Sequence, residues 1–429
     1  MLQTIRNAWK IEEIRRKIIF TLLVMLIYRL GNSIPVPYVD TVLLGSYFSS
    51  SMQNTILGLY NMMSGSAFSQ ATIFALSIQP YINASIIIQL LTIAIPALER
   101  LTKEGGEEGK KTIDKITRYA TVGFGLFQGF GYYFMIQRNE FLTPAGVGVW
   151  PAIVIIITFT AGSSLLMWLG EQITEFGIGN GISIILFANI VSRFPTTVGT
   201  MISDIFSTPK DSWIYVLMLL GVLAIVVLIV IVTKAERRIP IQYSKRVVGR
   251  KMYGGQSTHL PMKLNMSGVM PVIFAQTIAG LPATIVAFVP KWSDGWFINF
   301  IDADTIAYMV LYFLLILFFS YFYSTIQFNP IEIANNLRKN GGFIPGFRAG
   351  KPTSEFIQKV LTKITLFGAI YLSVIAITPL IISYFSETAK NSGISLGGTS
   401  IIIVVGVALE VVQALESQML MRHYKGFLE

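Results

Sequence analysis

The residue types that most often carry chemistry are scarce in this sequence. Cysteine is absent, and only two histidines occur, His259 and His423, neither within an HExxH or any other ligand cluster. Thiolate catalysis, disulfides and Cys-ligated zinc are therefore excluded, and a metalloenzyme has no ligand set. Gly346-Phe347-Arg348-Ala349-Gly350-Lys351-Pro352-Thr353 superficially matches a phosphate-binding loop. However, Pro345 stands where its first glycine is required, and Pro352 follows the lysine in place of Ser or Thr. Gly177-Ile178-Gly179-Asn180-Gly181 lacks the preceding strand of a dinucleotide site, and Gly125-Leu126-Phe127-Gln128-Gly129 is a GxxxG of the kind that packs helices closely. The expectation is a protein that is not an enzyme and has no catalytic residue, metal or cofactor. Any energy for its work comes from a partner or a gradient.

Within the apolar stretches the polar residues are neutral: Gln79, Asn83, Ser85, Gln89, Gln128, Gln276 and Thr277. Their usual work is hydrogen bonding between helices, and a second use is a helix contact that opens and recloses. Glu410 is the acidic exception, with Glu416 nearer the inner end of the same stretch. An intramembrane acid is a functional candidate by default, although its place past the midpoint equally suits a helix–helix hydrogen bond near the inner face.

The elements that must hold these residues are membrane helices. Hydrophobic residues make up 53% of the chain and charged ones 13%, about half the ~25% charge of soluble domains. A hydrocarbon core ~30 Å thick takes roughly 20 apolar helical residues. Ten segments qualify: 18–33, 71–97, 119–137, 151–170, 178–198, 213–233, 268–290, 306–326, 364–385 and 399–419. Spans two to nine contain no acid, and their only basic residue is Arg193, near the outer side. With the N-terminus inside, 27 of the 33 Lys and Arg fall on inner segments, a positive-inside distribution that puts both termini in the cytoplasm. The net charge of +10 is thus mostly topology and requires no nucleic acid. The basic residues ahead of Ile18 imitate a signal peptide, but no small-x-small cleavage site follows, so the stretch reads as a retained first span.

Ten spans divide into five and five about the outer loop 199–212, giving halves 1–205 and 206–429. An odd number of spans per half inverts one half relative to the other; no internal sequence repeat accompanies the inversion. Residues 52–70 are too short and polar to span, yet too apolar for a free loop. Backbone groups in lipid need partners, so the segment reads as a short helix buried in protein or lining a cavity, or else as an interfacial re-entrant turn. Two inner loops are unusually basic. Segment 234–267 has eight Lys and Arg against Glu236, and 327–363 has six against Glu332 and Glu355. Orientation explains part of this; the aromatics and Gly-Pro turns also suit docking of an acidic protein or ribosomal RNA phosphates.

Several stretches resemble the SecY family. They are Gln79-Pro80-Tyr81-Ile82-Asn83-Ala84-Ser85-Ile86-Ile87-Ile88-Gln89-Leu90-Leu91, Gly177-Ile178-Gly179-Asn180-Gly181-Ile182-Ser183, Gln256-Ser257-Thr258-His259-Leu260-Pro261, Phe328-Asn329-Pro330, Phe343-Ile344-Pro345-Gly346-Phe347-Arg348 and Gly397-Gly398-Thr399-Ser400. The resemblance covers essentially the whole chain. It implies an all-α membrane fold, ten transmembrane helices in two inverted five-helix halves that form a clamshell around an hourglass pore. It also implies a protein-conducting channel that translocates unfolded secretory proteins and releases membrane segments laterally. In that family an aliphatic ring closes the pore, and the matching positions are Ile78, Ile82, Ile182, Leu186, Ile273 and Ile403. Leu186 departs mildly by not being isoleucine. From the residues alone each is an ordinary membrane aliphatic, although the i,i+4 spacing puts the first two pairs each on one helix face.

The family's plug matches Thr55-Ile56-Leu57-Gly58-Leu59-Tyr60-Asn61-Met62-Met63-Ser64-Gly65. Its lateral gate, between spans two and three and spans seven and eight, takes in Asn83, Gln128 and Leu281. Docking of a motor or ribosome falls on Arg246, Arg250, Lys251 and Arg348. Implied partners are SecE-like and SecG-like small subunits, a SecA-type motor ATPase, the ribosome, signal-bearing preproteins and membrane lipid. The implied location is the cell inner (plasma) membrane. A secondary transporter for a small solute is the alternative, but it would place ion-coordinating or charged groups near the midplane, where this sequence has almost none. An intramembrane protease would need paired aspartates or a Ser-His pair within the spans, and neither is there.

Overall fold

A computed structural model describes residues 2–50, 56–103, 105–207, 212–243, 246–248, 251–253, 257–288, 305–386 and 397–425. A helix occupies each predicted span: α2 (Glu12–Gly31), α5 (Gln79–Ala94), α7 (Gly106–Arg138), α8 (Val149–Phe176), α9 (Gly181–Ser207), α10 (Ser212–Lys234), α11 (Met270–Phe288), α12 (Ile306–Gln327), α14 (Lys351–Phe385) and α15 (Gly397–Lys425). Between or before them lie the shorter α1 (Leu2–Lys10), α3 (Thr41–Ser50), α4 (Ile56–Met63), α6 (Pro96–Lys103) and α13 (Pro330–Lys339). Among the described residues, six helices are long and apolar enough to cross a membrane, and α5 and α6, taken together as one span bent by 103°, would bring the number to seven. The protein is a multi-pass membrane protein.

The second span differs from the sequence reading. Residues 71–78 are turns, and α5 holds only 16 residues, ~24 Å at 1.5 Å per residue. Ala71 and Ser77 adopt positive φ, which breaks a helix, and Pro80 in the first turn of α5 suits a helix start. At the other end Pro96 forces Ile95 to be extended (φ −107°, ψ 113°), as the residue before proline must be. The missing depth is filled by chain buried in protein, where irregular backbone is tolerated. In contrast α7, with 33 residues, and α14, with 35, are ~50 Å long. Both overrun the hydrocarbon on the side of the basic loops.

The helices pack in two series that also touch each other closely. Helices α2, α5, α7, α8 and α9 lie against one another, as do α10, α11, α12, α14 and α15. The groups meet where α9 touches α10 and α15, and where α11 touches α4, α5 and α7.

The sequence reading assigned no strand to the basic loops, yet they form one small folded unit. Strand β1 (Glu236–Tyr243) pairs antiparallel with β4 (Ser257–Lys263), and β5 (Gly342–Phe343) of the second loop adds to the other edge of β1. At the tip, β2 (Arg246–Val248) pairs with β3 (Lys251–Tyr253). Ile239, Ile241 and Met262 point to one face and bury against Leu337, Ile344, Ile357 and Leu361. The alternation is only two residues long on β1, too short to announce a strand. The Asn329 side chain caps α13 by accepting from the backbone N–H groups of Ile331 and Glu332 at 3.2 and 3.4 Å, with Pro330 in its first turn.

Candidate pore, plug and gate

The ring positions stand at helix starts that the sequence motifs build. Ile78 immediately precedes α5, and Ile82 follows one turn later. Ile182 and Leu186 open α9, where Asn180 Oδ1 accepts from the N–H groups of Ile182 and Ser183 at 3.0 and 3.3 Å, and Thr174 Oγ1 accepts from Gly181 at 2.9 Å. Gly181 approaches α8 so closely that a Cβ would overlap the Gly170 carbonyl. A Cβ on Gly170 in turn would lie 3.5 Å from Ile182 and 3.6 Å from Ile78, so these two isoleucines flank one spot on α8. Ile78, Ile82, Leu186, Ile273 and Ile403 are all buried in one apolar cluster, with Ile182 packed against it.

Four of the six, Ile82, Ile182, Leu186 and Ile273, line a single cavity of about 210 Å³. Its remaining wall includes Ser85, Gln89, Asn180, Tyr323 and Gln327. Along α5 the order is Gln79, Ile82, Ser85, Gln89, so the cavity extends from the aliphatic positions towards the polar residues on one side of them. The short helix α4 lies on the other, where Gln79 Nε2 donates to Met63 Sδ at 3.3 Å and Ser400 Oγ, on α15, donates to Met62 Sδ at 3.4 Å.

Helix α4 falls within the predicted plug segment and packs against α9 and α11. Leu57, Gly58, Asn61, Met63, Ser64 and Gly65 are buried, and Tyr60 and Met62 half-buried. Thr55 and the side chains of Ile56 and Leu59 lie outside the described residues. The turn after α4 is tied by side chains. Asn61 Oδ1 accepts from Ser69 N–H at 2.9 Å, Ser64 Oγ accepts from Phe68 N–H at 3.0 Å, and the Tyr132 hydroxyl donates to the Phe68 carbonyl.

At the predicted gate, Asn83 on α5 is buried with neither side-chain atom hydrogen-bonded, and Gln276 Oε1 on α11 is likewise without a partner. Gln128 on α7 lines a cavity of about 30 Å³ with Gln79, Tyr60 and Tyr132. Leu281 is half-buried on α11. One bond crosses from α12 to α5: the Tyr323 hydroxyl donates to Gln89 Oε1 at 2.7 Å, and Gln89 Nε2 donates to Ser85 Oγ at 3.2 Å. Sequence reasoning noted Gln89 but not Tyr323, whose partner is 234 residues away.

Of the docking positions, Arg246 is paired with Tyr253 at one end of the β2–β3 ladder and Lys251 with Val248 at the other. Their side chains, and Arg250 altogether, lie outside the described residues. Arg348 is exposed in an ordered turn: Gly346 has φ +87°, the Arg348 carbonyl accepts from Thr353 Oγ1 at 2.8 Å, and Phe347 stacks on Phe356 with centroids 4.3 Å apart. Glu410 is half-buried beside a cavity of about 100 Å³ that it shares with Lys263, Asn265 and Gln413, and Lys263 Nζ donates to Gln413 Oε1 at 2.6 Å.

Residues 72–412 match the SecY family. The chain is 43% identical to the protein translocase subunit SecY of Streptomyces coelicolor over the whole of both chains. It is 42% identical to that of Thermotoga maritima, over all of this chain and 98% of the other. Among solved structures, a protein-conducting channel superposes with TM-score 0.67 at 16% identity, covering 94% of this chain and 92% of that one. A SecY whose plug domain stabilises the closed state and maintains a membrane seal gives TM-score 0.66 at 15% identity with the same coverage. Sec61 from the canine ribosome–channel complex gives 0.64 at 14%, again with the same coverage. A helix scaffold shared with channels, set around aliphatic helix starts and carrying full-length kinship to translocase subunits, makes this chain a member of the SecY family.

Proposed function

We propose that this chain is the pore subunit of a channel in the cell inner membrane, with both termini cytoplasmic. It passes unfolded secretory proteins through the membrane and releases apolar segments sideways into lipid. The observation that carries this reading is the order along α5: a cavity of about 210 Å³ with a mixed wall, floored by aliphatic side chains from α5, α9 and α11, then the buried helix α4. A narrow apolar neck excludes water and ions by dewetting and gives way around any side chain without leaving a polar group unpaired. Helix α4, seated on Gln79 and Ser400, closes the neck from the outer side and acts as the plug. The two halves 1–205 and 206–429 part along α5 and α7 against α11 and α12, with Asn83, Gln128 and Leu281 on the parting faces.

The driving partner docks on the basic unit formed by both inner loops, at Arg246, Arg250, Lys251 and Arg348. A SecA-type motor and the ribosome are the candidates, and the ribosome is supported by the ribosome-bound relative. SecE-like and SecG-like subunits complete the complex. The test is preprotein import into vesicles holding the chain with its small subunits. Arg348→Glu is expected to slow motor-driven import several-fold at unchanged protein level, because one exposed charge contributes only about 0–1 kcal/mol to stability. Normal import by a well-expressed variant would remove Arg348 from the docking surface. Absence of any import by the unmodified complex would overturn the function itself.

A further inference from the structure

Asn189, on α9, has no place in the ring, plug, gate or docking surface, yet its side chain is completely buried at the crossing of three segments. Its Oδ1 accepts from the Tyr28 hydroxyl of α2, and its Nδ2 donates to Ser77 Oγ at 3.3 Å. Ser77 directly precedes the ring residue Ile78, and Leu186 lies one turn before Asn189 on α9. The plug ends at the same spot. Gly65 has φ +65°, and a Cβ there would stand 3.3 Å from Asn189 Oδ1 and 3.2 Å from Ser192 Oγ. From α2, Asn32 Nδ2 reaches the Ser64 carbonyl at 3.5 Å.

Both segments that lean on Asn189 have backbone conformations that do not hold themselves. Ser66 and Ser77 are non-glycine residues at φ 75° and 50°, a region L-residues enter only when their surroundings impose it. A buried amide anchored by Tyr28, bonded to Ser77 and packed against Gly65 constrains both at once. We infer that Asn189 is the positioning residue, the hub that seats the plug and registers it with the pore ring: its hydrogen bonds to Tyr28 and Ser77 fix the start of α5, and the root of α4 packs against the same side chain at Gly65. Asn189 itself touches neither substrate nor pore. It acts through Ile78 and Met63, whose mutual placement sets how tightly the idle neck is closed.

The inference rests on the proposed ring and plug, so the experiment includes a ring variant as reference. Vesicles with the chain and its small subunits are measured for idle chloride flux at equal protein content. Ile82→Asn is the reference, and Asn189→Ala, Tyr28→Phe, Ser77→Ala and Gly65→Ala test the hub. Asn189→Ala is expected to raise flux several-fold, with Tyr28→Phe and Ser77→Ala each smaller and not additive with it. Gly65→Ala should leak as well, because its Cβ presses on the hub, and combining it with Asn189→Ala should add little. In every leaking variant, a thiol pair at Met63→Cys and Ile78→Cys should crosslink more slowly, a change that lost stability alone does not produce. If Asn189→Ala fails to accumulate, Tyr28→Phe and Ser77→Ala decide alone. Leak from Ile82→Asn with none from the hub variants overturns the inference and leaves the ring standing. No leak from any variant, Ile82→Asn included, overturns the ring reading and the inference with it.

Discussion

Where α2, α9 and the turn before α5 gather around the root of α4, the side chains of Asn189, Asn61 and Ser64 are hydrogen-bonded, and Asn32 and Gln79 each keep one bond while leaving their amide oxygen unpaired. At the proposed gate, Asn83 of α5 has no partner on either side-chain atom, and Gln276 Oε1 of α11 is unpaired. A buried polar group without a partner costs about 1–3 kcal/mol. On the proposed reading, Asn83, unpaired at both atoms, burdens the closed gate more than any one side chain burdens the plug's seat, and anything that offers it hydrogen bonds on opening shifts the balance. Under the proposed function, the contrast distinguishes a seam that holds from one that parts.

The largest effect is expected from removing that burden. Asn83→Leu keeps the volume and deletes both unpaired atoms, so it should favour the closed gate. Import of a preprotein with a weakly apolar signal should slow about tenfold, the factor that 1.4 kcal/mol makes in an equilibrium. Faster import would reverse the reading of the gate. Tyr323→Phe has the opposite sign, because it removes the bond to Gln89 at 2.7 Å. A hydrogen bond contributes about 1 kcal/mol net, so signal-defective preproteins should pass about fivefold more readily, with unchanged passage counting against a latch. The smallest effect belongs to a pair outside both seams. Arg118 Nε donates to Glu171 Oε1 at 2.9 Å, joining α7 to α8 on the basic side. Arg118→Ala should alter thermal stability by only about 0–1 kcal/mol, as exposed ion pairs do, and import not at all; a gating change would mean that the first helix group flexes internally.

The sequence made the spans legible because twenty apolar residues have one solution in lipid, and long motifs such as Gly177-Ile178-Gly179-Asn180-Gly181 turned out to be the caps and close approaches that set ring residues at helix starts. What it hid has physical causes. The break at 71–78 rests on positive φ at Ala71 and Ser77, residues with no turn signature. The sheet of the basic loops joins β1 to β5 across about a hundred residues with hardly any alternation. Tyr323 and Asn189 read as ordinary membrane residues until the fold supplies partners 234 and 161 positions away.

The central claim is that aliphatic side chains, not charges or a rigid wall, keep the idle channel dry. It is tested most directly by ion flux through vesicles carrying Ile82→Asn, Ile273→Asn or Ile403→Asn at matched abundance. A hydrated neck conducts, so each variant should raise idle flux well above the unmodified complex while the protein remains folded. Flux unchanged in all three, with each protein folded and present at normal level, would show that these residues are mere packing and that the seal lies elsewhere.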